Sequence, residues 1–389
     1  MSGNTQRVPW VIDASPLWEQ QYTGISNVVW EIVRRVILEP DQEVHILAVD
    51  RIVPPELLDT CLADRSGRAL QAVYSTLPRA ERIMDILKKS GPVCGTVGLY
   101  LNKRAREKLF DWEAMMFYDF SPLLTPECHT EDTIRYHNEG ICNQVALNDH
   151  MFCISKATAR DLSWIFDVPD DKITVCLLGN SADETARKAA FDLIGDSELE
   201  PFLLMLGTIE PRKNITLVLD WLATHPEVLE AHRVVFAGRQ GWGPSLSSQI
   251  RHFGLEEAVR AGRIVYLSYV SEAQKTALLA GAGALLFPSL FEGFGLPVLE
   301  AMGFDLPVLS TVSTSLPEVL GEAGYYFDPY DTSSLDAAYQ RFCADSQSGA
   351  LQDIIKFARI RAKTFHYDKT YTLLRDQLSE ATSRMRTAK

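Results

Sequence analysis

Phe291-Glu292-Gly293-Phe294-Gly295-Leu296-Pro297-Val298-Leu299-Glu300 is the stretch that decides how this chain folds. Ahead of it, Ala284 to Phe287 is a short apolar run of strand type that leads into Pro288-Ser289. Behind it, Pro297 to Met302 reads as a helix with proline in its first turn, where a missing N–H costs nothing. Pro307 to Ser310 is a second short apolar strand. Strand, glycine-rich loop, helix and strand together make one αβ unit of a parallel sheet.

The same grammar extends outward. Pro201 to Leu206, Arg233 to Ala237 and Ile264 to Leu267 read as strands, and Leu217 to Leu222 as a helix. Ser271 is placed to cap a helix through Ala280, with Glu272 in its first turn. Leu316 to Leu320 is a short helix and Gly324 to Phe327 the last strand. Near the amino terminus, Val8 to Ile12 is a strand ending at Asp13, and a loop follows to Thr23-Gly24. Ile25, Val28, Val29, Ile32, Val33 and Val36 then recur at helical spacing until Pro40 and Asp41. Val44 to Val49, Met115 to Asp119, Asn148 to Ile154 and Lys172 to Leu177 read as strands, and Ser155 as the cap of a helix Lys156 to Phe166. Residues 51–110 carry helical signals, with a loop around Ser90 to Gly98. Thr370 to Met385 is an amphipathic helix.

A chain of 389 residues exceeds what one continuous core usually serves. The acidic run Ser181 to Glu200 separates two stretches of similar grammar and marks the domain boundary. The expected domains are 1–190 and 200–368, with 369–389 as a terminal helix packing back on the first. A formal net charge of −13 disfavours a nucleic-acid partner. Seven scattered cysteines without a CxxC pair read as free, mostly buried thiols in a reducing compartment. MSGNTQRVPWVIDAS has no leader pattern and no stretch reaches 18 apolar residues. A cytoplasmic location is expected, soluble or peripheral at the inner face of the plasma membrane. Lys103, Arg104, Arg106 and Lys108 form either a solvated helix face or a site for an anionic membrane surface.

Ligands of open α/β sheets bind beyond the carboxyl ends of the strands, and five loops there carry chemistry. Thr23-Gly24-Ile25 is a tight turn or a place of close backbone approach to a ligand; it is not the GxGxxG of dinucleotide sites. In Gly207-Thr208-Ile209-Glu210-Pro211-Arg212-Lys213-Asn214, two adjacent cations are a surface charge pair or a means to neutralise phosphate oxygens. Gly238-Arg239-Gln240-Gly241-Trp242-Gly243 is a flexible loop or a backbone seat for a nucleotide. Glu292 and Glu300 frame the opening stretch, where carboxylates can accept hydrogen bonds from sugar hydroxyls. Asp119, after Tyr118, either caps local backbone or positions an acceptor hydroxyl. No carboxylate cluster has the look of a metal–diphosphate bridge, so neither a metal nor a cofactor is expected.

FPSLFEGFGLPVLEAMGFDLPVLSTVSTSLPEVLGEAGYYFDP, residues 287–329, together with LGTIEPRKN, residues 206–214, and the opening VIDASP…TGI, resembles the retaining glycosyltransferase family 4 across nearly the whole chain. The resemblance implies the fold called GT-B: α/β, two Rossmann-like domains facing across a cleft, the first on the acceptor side and the second binding a nucleotide sugar. It places Glu292 on the donor sugar hydroxyls and Glu300 on the nucleotide ribose. Arg212 and Lys213 would face the diphosphate, and Gly24 would let the first domain close against it. Phe294, Gly295 and Leu296 would wrap sugar and phosphate through their backbone. Thr208, Gly238 and Arg239 complete the donor side, and Asp119 serves the acceptor. Three sites, four residues in all, depart from the family: Tyr118 stands where His is common, Thr208 where Arg is common, and Phe304-Asp305 where Cys-Gly is common.

The implied reaction moves a sugar to a hydroxyl with retention, the leaving diphosphate taking the acceptor proton. Orientation and neutralisation of leaving charge by Arg212 and Lys213 carry such a reaction. The EPRKN loop resembles mannosyltransferases of bacterial polysaccharide assembly, which points to GDP-mannose as donor and a lipid-linked saccharide as acceptor. UDP or ADP sugars, an epimerase of the same fold, and a weakly catalytic binding subunit remain alternatives.

Overall fold

Runs of three to six mostly apolar residues fix the strands. A computed structural model describes residues 7–387 apart from 21, 90, 92, 105, 106 and 181–201. The chain divides into two compact units. One is Met1–Asp119, Glu139–Gly179 and His366–Lys389; the other is Phe120–Asn138 and Asn180–Phe365. The segment 120–138, left in the amino-terminal half by the sequence, thus groups with the second unit, and the acidic run 181–200 lies outside the described residues.

The first unit holds β1 (Trp10–Asp13), β2 (Val44–Ala48), β3 (Arg51–Val53), β4 (Val97–Tyr100), β5 (Trp112–Phe117), β6 (His150–Cys153) and β7 (Ile173–Val175). They form a seven-stranded sheet in the order β3-β2-β1-β4-β5-β6-β7, parallel except for the β2–β3 pair. From β1 the chain builds outward to β2 on one side and later to β4 on the other, so the order reverses between β1 and β4. β1 and β4 are buried along their whole length, as strands of a two-sided parallel sheet must be. β4 corrects the loop read over Ser90 to Gly98. Four residues interrupted by Gly98 carry too little pattern to show as a strand. That glycine is required, because a Cβ there would lie 2.3 Å from the ring of Phe110.

The helix Gly24–Val36 turns Val28, Val29, Ile32, Val33 and Val36 inward. The helix Tyr367–Thr387 packs on it and on β4. Polar ties fix its register: Trp10 Nε1 donates to Thr382 Oγ1 at 2.9 Å, Thr370 Oγ1 to the Leu177 carbonyl at 2.6 Å, and the Tyr371 hydroxyl to Glu39 at 2.7 Å.

Within the basic stretch 103–108, Arg104 is internal rather than on a surface. Arg104 and Glu113 are both buried and ion-paired. Arg104 also donates to Asn148 Oδ1 at 3.1 Å, and Glu113 accepts from the Leu109 and Phe110 N–H groups at 2.7 and 2.9 Å. Lys108 pairs with Asp149 at 2.7 Å, and Arg106 lies outside the described residues. A charge taken from water must find its counter-charge inside the protein, and composition alone does not show that this one does. Among the described residues no helix is long and apolar enough to cross a membrane. The cysteines are free thiols, four of them buried.

The second unit holds β8 (Phe202–Leu206), β9 (Arg233–Ala237), β10 (Ile264–Leu267), β11 (Ala284–Phe287), β12 (Val308–Thr311) and β13 (Tyr325–Phe327). They form an all-parallel sheet in the order β10-β9-β8-β11-β12-β13, which reverses between β8 and β11. Trp221, Phe236, Leu286, Leu309, Tyr325 and Tyr339 centre its core. Two helices that carry no clear sequence signal, Thr332–Ser348 and Leu351–Ala362, complete it; the first packs on β13 and the second on the helix Leu296–Gly303. Asp305, in place of the family's glycine, takes φ 61° and holds Arg359 through two hydrogen bonds of 2.6 Å. Aspartate tolerates this left-handed backbone better than most residues.

Leu378 is fully buried in the terminal helix. Leu378→Ala is expected to destabilise the chain by about 2–5 kcal/mol, read as a lower denaturant midpoint with an unchanged slope.

Candidate active site

Where the order of a parallel sheet reverses, the loops leaving two neighbouring strands diverge and open a crevice. In the second unit those loops follow β8 and β11, and they are Gly207–Asn214 and Pro288–Gly295. The Leu290 N–H donates to the Arg212 carbonyl at 2.9 Å and joins them. Lys213 Nζ donates to Glu292 Oε1 at 2.6 Å, and Arg212 lies 3.2 Å from Glu292 Oε2. Arg212 also donates to the Phe291 carbonyl and to Glu210, both at 2.8 Å. Lys213 Nζ sits 4.9 Å from the centre of the Phe287 ring, a cation–π contact. Thr314 and Ser315 hold the Glu292 backbone from the other side.

Glu292 is 7% exposed. Burial alone would raise its carboxyl, but Lys213 and Arg212 outweigh burial and hold it at about 2. The three side chains therefore form a fixed charged cluster. Lys213 lines a shallow hollow together with Gly207, Thr208, Pro288 and Ser289.

The loop after β9 packs against the loop after β8. Ile209 N–H donates to the Arg239 carbonyl and Gly241 N–H to the Ile209 carbonyl, each at 2.9 Å. A Cβ on Gly238 would fall 1.9 Å from the Gly207 carbonyl oxygen, so glycine is obligatory there. Arg239 itself is exposed and makes no ion pair among the described residues. Trp242 Nε1 donates to the Cys128 carbonyl at 2.7 Å and ties the segment 120–138 to this loop.

Gly295 has φ 99° and precedes the helix Leu296–Gly303; a Cβ there would meet Leu316 at 2.7 Å. The Phe294 side chain is buried edge-on against Phe365, leaving its backbone for the loop. Glu300 lies on that helix and pairs with Lys275 at 3.0 Å. Burial raises the Glu300 carboxyl, and Lys275 offsets only part of that effect. Lys275 also pairs with Glu272 at 3.0 Å.

Gly24 and Asp119 belong to the first unit. Gly24 opens its helix, and a Cβ there would meet nothing within 4 Å. Tyr118 donates its hydroxyl to the Leu101 carbonyl at 2.8 Å, a structural bond that burial supports by pushing the phenol up. Sequence reasoning missed three residues. Glu210 shares Arg212 with Glu292, and its signal is its place two residues before Arg212. Lys275 follows Glu272 by three residues on one helix face. Asp13 was read only as the end of a strand. It is 7% exposed, and burial raises its carboxyl to about 6 although Ser15 hydrogen bonds pull it down. Among the described residues no group of three or more His, Cys, Asp or Glu side chains could hold a metal ion.

Residues 188–361 match the family model described as Glycosyl transferases group 1. That match lies wholly within the second unit. All the charged residues of the cluster fall inside this glycosyl transferases group 1 match. O-antigen chain mannosyltransferase B of Escherichia coli is 33% identical over 226 residues, which are 57% of this chain and 58% of that protein. The chain is thus homologous to that mannosyltransferase over somewhat more than half of its relative's length. Sucrose-phosphate synthase from Thermosynechococcus elongatus superposes with a TM-score of 0.67 at 16% identity, over 96% of this chain and 99% of that one. WaaG, a glycosyltransferase involved in lipopolysaccharide biosynthesis, gives 0.60 at 16% identity over 94% and 99%. At such identity these two show the fold, which is GT-B.

The cluster has a pH signature. The folded Glu292 carboxyl sits below its usual 4.5, so the unfolded chain takes up that proton first as pH falls. The pair contributes on the order of 3 kcal/mol above about pH 4.5, lost as pH falls toward about 2. Glu292→Gln is expected to lower stability at pH 7 and to flatten that acid limb in pH-dependent denaturation. An unchanged limb would show that the cations do not hold this carboxylate.

Proposed function

We propose that this chain transfers a hexose from a nucleotide diphosphate sugar to a saccharide hydroxyl with retention at the anomeric carbon. The observation that carries this is the Arg212–Lys213–Glu292 cluster at the reversal point of the sheet in a glycosyl transferases group 1 domain. A diphosphate leaves as an anion, and two fixed cations beside it stabilise charge that develops only as the bond breaks. Glu292 keeps them oriented and offers its remaining lone pairs to the sugar hydroxyls. Glu300 takes the ribose hydroxyls. The backbone of Phe294, Gly295 and Leu296 meets sugar and phosphate, with Thr208, Gly238 and Arg239 completing the donor seat. On the first unit Asp119 positions the acceptor and Gly24 leaves room for close backbone approach. The acceptor attacks on the face the diphosphate leaves, and a diphosphate oxygen takes its proton.

The donor in this proposal is GDP-mannose, supported by the mannosyltransferase name of the E. coli relative. The O-antigen name of that relative supports a saccharide acceptor in surface polysaccharide synthesis; the proposal takes that acceptor as lipid-linked and the reaction as cytoplasmic at the inner membrane face.

GDP and GDP-mannose are expected to raise the melting temperature more than UDP or ADP counterparts do. With the preferred donor, Lys213→Ala is expected to lower kcat by roughly 10²- to 10³-fold. Transfer at the wild-type rate by Lys213→Ala, or isomerised donor formed without acceptor, would overturn the proposal.

Gly24→Ala separates function from fold. Its new methyl meets open space and replaces a poor helix former, so the melting temperature should hold or rise. Transfer should fall at least about tenfold if the backbone there must approach a ligand. Full activity would make Gly24 an ordinary turn residue.

A further inference from the structure

Asp13 ends β1 at the point where the order of the first sheet reverses, between β1 and β4. By the same crevice rule that locates the charged cluster on the second sheet, this is where the first sheet can receive a ligand. Its carboxylate is not used by the fold in the way the other buried carboxylates are. Glu113 has Arg104, Glu292 has Lys213 and Arg212, and Glu300 has Lys275. Asp13 has no cation among the described residues. Its Oδ1 accepts from the Ser15 N–H at 3.0 Å and from the Ser15 hydroxyl at 2.6 Å. Ser15 is itself locked, because its hydroxyl accepts from the Val49 N–H at 2.8 Å. Oδ2 accepts no hydrogen bond from any described residue. The neighbouring Tyr100 hydroxyl is turned away to Glu113 at 3.2 Å. An unpaired carboxylate that is 7% exposed is costly, and its raised proton affinity registers that cost. Such a group at a strand end is a candidate for a binding site.

We infer that Asp13 is an acceptor-binding residue: Ser15 fixes Oδ1, and Oδ2 accepts a hydrogen bond from a hydroxyl of the saccharide acceptor. A polyol supplies the donor that the protein withholds, and a neutral ligand adds no charge to a carboxylate lacking a cation. An anionic ligand would be repelled there. This inference rests on the glycosyl-transfer proposal for its acceptor, and it adds a residue on the first sheet to Asp119.

The test uses the full chain, wild type and Asp13→Asn, with GDP-mannose as donor and α-mannobiose as acceptor probe. Asparagine keeps an oxygen for Ser15, so the melting temperature and its shift with GDP should not change. The KM for α-mannobiose should rise tenfold or more, with the KM for donor held. Saturation-transfer NMR should detect α-mannobiose on the wild type and not on Asp13→Asn. Equal acceptor KM, equal NMR signal on both proteins, or no signal on either overturns the inference. If Asp13→Asn melts lower, Ser15→Ala replaces it; releasing Oδ1 while keeping the charge should still raise the acceptor KM, and an unchanged value overturns the inference. Failure of the underlying proposal looks different: no nucleotide shifts the wild type and no transfer occurs, while the NMR comparison still decides Asp13.

Discussion

Lys213, Arg212 and Glu292 meet where two loops of one sheet part, and the organisation of the second unit serves that meeting. β8 and β11 must be neighbours for the loops to touch, and their pairing depends on the reversal of strand order between them. Gly238 must be glycine for the third loop to lie against the first. Thr314 and Ser315 must reach back to the Glu292 backbone. A carboxylate held this firmly between two cations remains charged at any physiological pH. The cations, in turn, are aimed by protein contacts, Arg212 by Glu210 and the Phe291 carbonyl and Lys213 by Glu292, and fixed charges of this kind are what electrostatic stabilisation uses.

Buried charge is the recurring expense of this fold, and pairing is the recurring remedy. Arg104 with Glu113 and Lys275 with Glu300 each place an ion where water is scarce and supply its partner from a distant part of the sequence. Asp13 departs from the pattern. A side chain left without a counter-charge in the same setting is a place where the protein leaves a bond for something else to make.

Much of the second unit was legible in the residues. The strands Arg233–Ala237, Ile264–Leu267 and Ala284–Phe287 and the helix Leu316–Leu320 fall where their apolar runs place them. The caps at Ser155 and Ser271 form as their side chains predict, each accepting a backbone N–H. Glu292, Arg212 and Lys213 stood out because charged residues beside glycines at a strand end have few structural uses. β4 was not legible, since Gly98 is spent on making room for Phe110, a contact twelve residues away that no local pattern carries. The helices Thr332–Ser348 and Leu351–Ala362 were missed for a related reason. Their inward faces match β13 and the helix Leu296–Gly303, and only the assembled unit reveals those partners.

By itself, the sequence determined the alternation of strands and helices, the parallel sheets, and which loops hold charged residues. These follow from periodicity and from backbone geometry, which act over a few residues. The tertiary structure alone decided which charges meet. Arg104 was one more cation in a basic run until Glu113 claimed it, and Lys275 carried no reading of its own until Glu300 faced it. Asp13 was a strand end until burial without a cation set it apart. Electrostatic interaction depends on distance and on exclusion of water, and neither is fixed until strands far apart in sequence lie side by side.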